Sequence, residues 1–233
     1  MIEAEWWEYD SLGELAEAVA GDVGFIVDSA VDARGSSLIA VPGGKTGPAI
    51  FPKLASQKLP WKKVAIIPTD DRLVPMDDER SNVRAIAKTF LPLGARVVPI
   101  AADIADYRLA GNSADARLQD LPWPPDLVWL GMGQDGHTAS LFAGPDLQDA
   151  LDAPKARRAV GVMPDPLPQD APVARVTLTR ASILAARTVL ITITGDDKRA
   201  LLEQAIADGQ SSKLPIGRVV AEAEQPIDIH WCP

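Results

Sequence analysis

Short apolar runs, too hydrophobic to leave a face in water, recur down this chain and narrow its possible folds more than any other feature. They fall at residues 37–41, 63–67, 95–100, 126–130, 158–163, 175–179 and 188–194. Between many of them lie segments with helical character, near 48–58, 81–90, 113–120, 180–186 and 196–208. Strands buried on both faces need helices over both faces, and strands alternating with helices run parallel. The pattern predicts an α/β fold: a mostly parallel sheet with helices on both faces. Residues 11–34 read as one long amphipathic helix. Ser11 caps it, Glu14 completes a capping box, and Leu12, Leu15, Ala16, Val19, Val23, Ile26, Val27 and Ala30 form the buried stripe. The last apolar segment, 227–232, alternates loosely and reads as an edge strand. The Pro-rich stretches 121–125 and 164–172 are connections, the second long enough to border a site. With no internal repeat, 233 residues are expected to form a single domain over 1–233.

Charge and composition exclude several classes of function. A net charge of −9 argues against a nucleic-acid partner, since phosphate backbones need basic surfaces. An anionic small substrate would need a local basic pocket set against that global field. No stretch approaches 18 uncharged apolar residues, and the first residues are acidic (Glu3, Glu5, Glu8, Asp10). Neither a signal peptide nor a membrane span is expected. The single cysteine, Cys232, cannot form an internal disulfide, which suits a reducing cytoplasm.

Chemistry concentrates in residues 126–144. A short apolar run ends in Gly131, Gly133 and Gly136, which leave Asp135 and His137 beside a bare turn at a strand's carboxyl end. Ligands bind there in open α/β sheets. The chain has only two histidines, and this one lies two residues from a carboxylate, a pairing suited to proton transfer near neutral pH. Gly131-x-Gly133-x-x-Gly136 also has the spacing of a dinucleotide fingerprint. That reading fails on context, because Gly144-Pro145 is expected to stop the next helix early and position 151 reads as part of a Pro- and Asp-rich loop rather than the acidic end of a second strand. A structural turn with His137 as an ordinary loop residue is the plain alternative.

Four other places could carry function. Residues 42–48, Pro-Gly-Gly-Lys-Thr-Gly-Pro, follow the first strand and precede a helix. Gly43 and Gly44 expose backbone N–H groups, and Lys45 and Thr46 add donors, making either an anion cradle or an ordinary tight turn. Residues 68–82 carry five carboxylates and two arginines, mostly a solvated loop; Asp70, Asp71 and Arg72 stand nearest the strand end. Arg175 opens an apolar strand, where a guanidinium lies on the surface or clasps a phosphate bidentately. Lys198 falls in the first turn of a helix, a place the dipole disfavours unless an anion shares it. His230 reads as structural.

Together these segments resemble the 6-phosphogluconolactonases, within the wider family that includes glucosamine-6-phosphate deaminase. Residues 130–142, Leu-Gly-Met-Gly-Gln-Asp-Gly-His-Thr-Ala-Ser-Leu-Phe, are close to the lactonase signature. Thr69-Asp-Asp-Arg72 with Ser81-Asn82 looks like the family's Asp-Glu-Arg and Ser-Asn elements, with Asp71 in the usual Glu place. Residues 42–46 look like its Ser-Gly-Gly-Ser-Thr loop, with Pro42 and Lys45 replacing two serines. Arg175 and Lys198 fall where the family carries its phosphate-binding Arg and Lys. The resemblance implies a Rossmann-like sheet of the sugar-phosphate isomerase type. It also implies hydrolysis of 6-phospho-D-glucono-1,5-lactone to 6-phosphogluconate, in the oxidative pentose phosphate pathway. His137 would activate water, Asp135 or Asp70 would orient it or hold sugar hydroxyls, and Gly43, Gly44, Lys45, Thr46, Arg72, Arg175 and Lys198 would bind phosphate. No metal or other cofactor is implied, and a monomer or weak dimer is expected. Two rivals remain. A deaminase would draw a ring-opening glutamate from the segment after His137, and residues 138–144 supply none. A non-catalytic phosphosugar-binding module would need no Asp135–His137 pair.

Overall fold

The computed structural model describes residues 2–101 and 105–233. Its first half runs β1 (Ala4–Glu8), α1 (Leu12–Arg34), β2 (Ser37–Val41), α2 (Thr46–Ala55), β3 (Val64–Pro68), β4 (Asp70–Arg72), α3 (Asn82–Phe90), β5 (Arg96–Val97) and α4 (Tyr107–Gln119). The second half runs β6 (Leu127–Gly131), α5 (Leu147–Leu151), β7 (Ala159–Val162), β8 (Arg175–Leu178), α6 (Arg180–Leu184), β9 (Thr188–Thr194), α7 (Asp196–Asp208), α8 (Pro215–Val220) and β10 (Ile227–Cys232).

Seven strands form one parallel sheet in the order β1-β10-β9-β6-β2-β3-β5. Side chains alternate along each strand, so a sheet covered on both sides sends successive residues into different cores. Leu38 and Ala40 of β2, Val128 and Leu130 of β6, and Val189 and Ile191 of β9 pack on one face with α4, α5, α7 and α8. Ile39 and Val41, Leu127 and Trp129, and Leu190 pack on the other face under α1, α2 and α3. There Phe51 meets the edges of Phe90 and Trp129, and the fully buried Trp129 indole donates to Thr192 Oγ1 at 3.0 Å. Burial of side chains this large contributes about 1.5–3 kcal/mol each.

Several sequence expectations change. Segments 158–163 and 175–179 are strands, β7 and β8, but they leave the parallel sheet. With β4 they form a separate antiparallel sheet in the order β4-β8-β7. Segment 227–232 is not an edge: β10 lies between β9 and β1, and the edge belongs to β1, whose two glutamates, Glu5 and Glu8, hid it. Of 95–100 only Arg96–Val97 pairs, at the far edge. The helix expected at 113–120 begins at Tyr107, where Asp106 accepts from the amides of Arg108 and Leu109 at 2.8 and 3.1 Å. Gly111, Asn112 and Ser113, all weak helix formers, concealed its first turns. In α1, Ser11 caps as expected and Glu14 reaches back to Asp10 N–H, but Leu12 is exposed. No described helix is long and apolar enough to cross a membrane.

Strand order positions the site. From β2 the chain steps to β3 on one side, whereas β6, on the other side of β2, is followed in the sheet by β9 and β10. The crevice where the winding reverses opens between the carboxyl ends of β2 and β6, the usual ligand position in such sheets.

Candidate active site

Four adjacent strands, β9, β6, β2 and β3, deliver their carboxyl-end loops to a cleft of about 240 Å³. The loop after β2 brings Gly43, Gly44, Lys45 and Thr46; the loop after β6 brings Gly133 and His137. β4, directly after β3, brings Asp70 and Arg72, β8 brings Arg175, and the first turn of α7 brings Lys198. A broader surface groove of about 840 Å³ lies elsewhere, around Lys155 and Arg180. Its Arg180 is already paired with Asp152 and Glu222, and it contains no histidine.

Local geometry explains the glycines. A Cβ on Gly133 would stand 2.2 Å from the His137 ring and 2.7 Å from Asp135 Oδ1, so only glycine lets the imidazole fold over the turn. The turn is closed by Gly133 N–H to His137 O at 2.9 Å, with Gly136 at φ +75°. Asp135 Oδ1 lies 2.5 Å from His137 Nδ1 and accepts the His137 amide at 3.2 Å. An ionised carboxylate only accepts, so in the neutral ring the proton sits on Nδ1 and Nε2 keeps a free lone pair. Burial raises the Asp135 carboxyl, but the bond and charge of His137 more than offset this and hold it below the ordinary carboxylate range. The pair can act as a base oriented by a carboxylate.

Opposite it stands a cluster of positive charge. Antiparallel pairing of β4 with β8 sets Arg72 directly across from Arg175. Arg175 is 3% exposed, donates to Ala171 O at 3.2 Å, and its Nε has no partner. Arg72 donates to Arg80 O at 2.7 Å and Asn82 Oδ1 at 3.0 Å, and its buried Nε is also free. Among the described residues neither guanidinium is ion-paired. Burial lowers the Arg175 pKa; Asp70 works against this and Arg72 adds to it. Lys198 Nζ donates to Met132 O at 2.6 Å. Burial lowers its pKa too, with Asp135 opposing and Lys45 reinforcing, which places both near it. A buried guanidinium beside a half-buried one, neither of them ion-paired, is unfavourable until an anion joins them. Such an arrangement can hold a phosphate.

Every residue expected from sequence to form the site lines this cleft except Asp135 and Asp71. Asp135 reaches it through His137. Asp71 is the correction: it alternates with Asp70 and Arg72 along β4 and points away. There it accepts from the amides of Arg72, Asn82 and Val83 and from Ser81 Oγ, clamping β4 to the start of α3. Burial pushes its carboxyl up to about 6 against those donors. Asp70, 5% exposed, accepts from Ser140 Oγ at 2.5 Å, and its carbonyl accepts from Asn82 Nδ2 at 2.7 Å. Among the lining residues to which the sequence assigned no role are Asn82, Phe142 and Asp170. Asn82 has a legible cue in its place beside Ser81, which caps α3; nothing local sets Phe142 apart from the rest of the 130–142 run. The stretch 164–172, expected to border a site, supplies Pro168 and Asp170.

Fold and cleft together define an open α/β protein with a cationic crevice facing a histidine–carboxylate pair. The family model "Glucosamine-6-phosphate isomerases/6-phosphogluconolactonase" matches residues 10–231. The chain is 38% identical over 229 residues to a 6-phosphogluconolactonase of Rhizobium meliloti (strain 1021), covering 97% of each. It is 34% identical to that of Pseudomonas putida over 223 residues, covering 94% of this chain and 89% of the relative. Among solved structures, a 6-phosphogluconolactonase from Shewanella baltica OS155 superposes with a TM-score of 0.90 at 29% identity, covering 99% and 98% of the two chains. The chain belongs to the glucosamine-6-phosphate isomerase/6-phosphogluconolactonase family.

Proposed function

We propose that this protein is a 6-phosphogluconolactonase, a hydrolase that opens 6-phospho-D-glucono-1,5-lactone to 6-phosphogluconate in the pentose phosphate pathway. Relatives of that name cover nearly its whole length, and residues 1–233 act as one cytoplasmic domain. The observation that carries the site assignment is the His137–Asp135 pair facing the unpaired Arg72 and Arg175. The guanidiniums, with Lys45, Thr46, Lys198 and the Gly43–Gly44 amides, take the 6-phosphate dianion. That leaves the lactone ring over the turn 133–137.

A lactone is an activated ester, so the reaction needs an activated water, charge stabilisation and a proton for the leaving oxygen. His137 Nε2 removes a proton from water as its oxygen attacks C1. The carbonyl electrons move to oxygen and a tetrahedral intermediate forms. Collapse breaks the C1–ring oxygen bond, and the same Nε2–H protonates the departing oxygen. The acid formed loses its proton to solvent, leaving carboxylate and a free hydroxyl. Asp135 holds Nδ1 and stabilises the imidazolium; Asp70 accepts from a sugar hydroxyl.

The test follows lactone hydrolysis with purified protein against the spontaneous rate, beside His137→Ala. A positioned base is typically worth about 10² to 10⁴ in rate. The variant should therefore lose most of the catalysed rate while melting close to wild type. A variant as fast as wild type would return His137 to an ordinary loop residue and remove this mechanism.

A further inference from the structure

We propose that Phe142 is a positioning residue that ties the guanidinium of Arg175 to the imidazole of His137, so that phosphate binding and base alignment are coupled. The inference rests on the site reading above. Its ring centroid lies 4.1 Å from that of His137, with planes 23° apart, and Arg175 Cζ lies 4.9 Å from the same ring. One aromatic surface thus touches the group that takes the proton and a group that grips the anion.

The imidazole needs this second contact. Its partner Asp135 is 61% exposed on its side chain, and a polar contact that open to water restrains a ring weakly. Phe142 supplies a flat face that holds the imidazole plane while Asp135 fixes one edge. The backbone between the two rings is shaped for this purpose. Thr138 bridges to Leu141, with Leu141 N–H to Thr138 O at 2.9 Å, and Ala139 adopts φ +48°, the only positive φ outside glycine among the described residues. Such a conformation costs about 1 kcal/mol or more and persists only where its surroundings impose it.

Ser140 imposes it. Its hydroxyl donates to Asp70 of β4 at 2.5 Å, and its amide donates to Thr177 Oγ1 of β8 at 3.2 Å. The reversed turn is therefore bolted to the small antiparallel sheet that also carries Arg72 and Arg175. Phosphate that settles Arg175 against the Phe142 ring also settles the ring against the base. Arginine favours an aromatic face, and neither that contact nor the imidazole stack survives on an aliphatic side chain.

The experiment compares Phe142→Leu, which keeps apolar bulk, with Phe142→Tyr, which keeps the aromatic face. Phe142→Leu should lower kcat about tenfold and raise KM several-fold, the sizes expected for a lost stack and a lost cation–π contact. Phe142→Tyr should stay within about threefold of wild type, on the same estimate. With two histidines in the chain, one of them the buried His230, the His137 imidazole can be followed by NMR. Inorganic phosphate should shift its signals in wild type and in Phe142→Tyr, and much less in Phe142→Leu. If Phe142→Leu does not fold, Phe142→Met takes its place. Leucine and tyrosine variants equally impaired, or a leucine variant with wild-type kcat, KM and phosphate response, would overturn the coupling. The site reading fails separately, through an active His137→Ala.

Discussion

Arg175 is the residue whose chemistry leaves least room for substitution. It is buried, it faces Arg72 across the β4–β8 pair, and its Nε is unpartnered. Lysine would keep the charge but not the planar fork that takes two phosphate oxygens at once. A charge-assisted hydrogen bond contributes about 1.5–3 kcal/mol. Arg175→Lys should therefore raise KM for the phosphorylated lactone by about 10- to 100-fold, with kcat changed less. The same enzyme should handle glucono-1,5-lactone poorly, since the cationic groups would then lack their anion. Steady-state kinetics on both lactones decides this. Comparable kcat/KM for the two in wild type would remove the phosphate assignment of Lys45, Arg72, Arg175 and Lys198.

At the scale of elements, the loop after β2 and the start of α3 must interlock. A Cβ on Gly43 would stand 2.1 Å from Asn82 Oδ1, and Asn82 in turn holds Arg72 and the Asp70 carbonyl. Gly43→Ala should displace Asn82 and cost at least about tenfold in kcat/KM, one lost hydrogen bond or more. The fold should persist, because the clash is confined to the cleft. A Gly43→Ala enzyme with wild-type kinetics would show that this close approach is dispensable.

The C-terminal strand β10 carries a different liability. His230 is 1% exposed, its Nδ1 lies 2.9 Å from the Tyr9 hydroxyl, and its Nε2 lies 3.5 Å from Asp22. Burial lowers its pKa from 6.5 to about 4. The unfolded chain therefore takes up a proton at a higher pH than the folded one. Stability is full above about pH 6.5 and falls as pH drops toward 4, by about 3 kcal/mol at most for this group. Asp22 works partly against this, since its carboxyl is raised by burial and by Asp228. Urea midpoints at pH 7 and pH 4.5 should lie closer together in His230→Gln than in wild type. An equal or larger gap in the variant would move the acid sensitivity to other groups.

For the whole molecule, a chain of net charge −9 gathers its cleft cations from β4, β8, α7 and the loop after β2. Incubated with glucosamine 6-phosphate it should release no ammonia above background, because residues 138–144 offer no carboxylate for ring opening. Excess chelator should leave most lactonase activity, since no group of three or more His, Cys, Asp and Glu converges among the described residues. Ammonia release, or loss with chelator that zinc restores, would favour a deaminase or a metallohydrolase.

Local chemistry made much of this legible in advance. Buried strands reveal themselves through unbroken apolar runs, and the turn at 131–137 through glycines around an Asp and a His. Ser11 and Ser81 cap helices as their sequence neighbours require. What stayed hidden depends on partners far along the chain. β1 reads as charged because its neighbour β10 covers only one edge of it. β4 reads as loop because its three residues pair only through β8, a hundred positions on. Asp71 and Asp70 look equivalent until the pleat of β4 turns one toward α3 and the other toward the cleft. Phe142 is one apolar residue of the 130–142 run until the turn at Ala139 lays it on His137. Local sequence was enough to mark the apolar strands, the reactive loop and the cations at hand, because each of these is written in neighbouring residues. Strand order, register and the second sheet were decided by tertiary structure alone, because each depends on contacts between segments whose own sequences are silent about their neighbours.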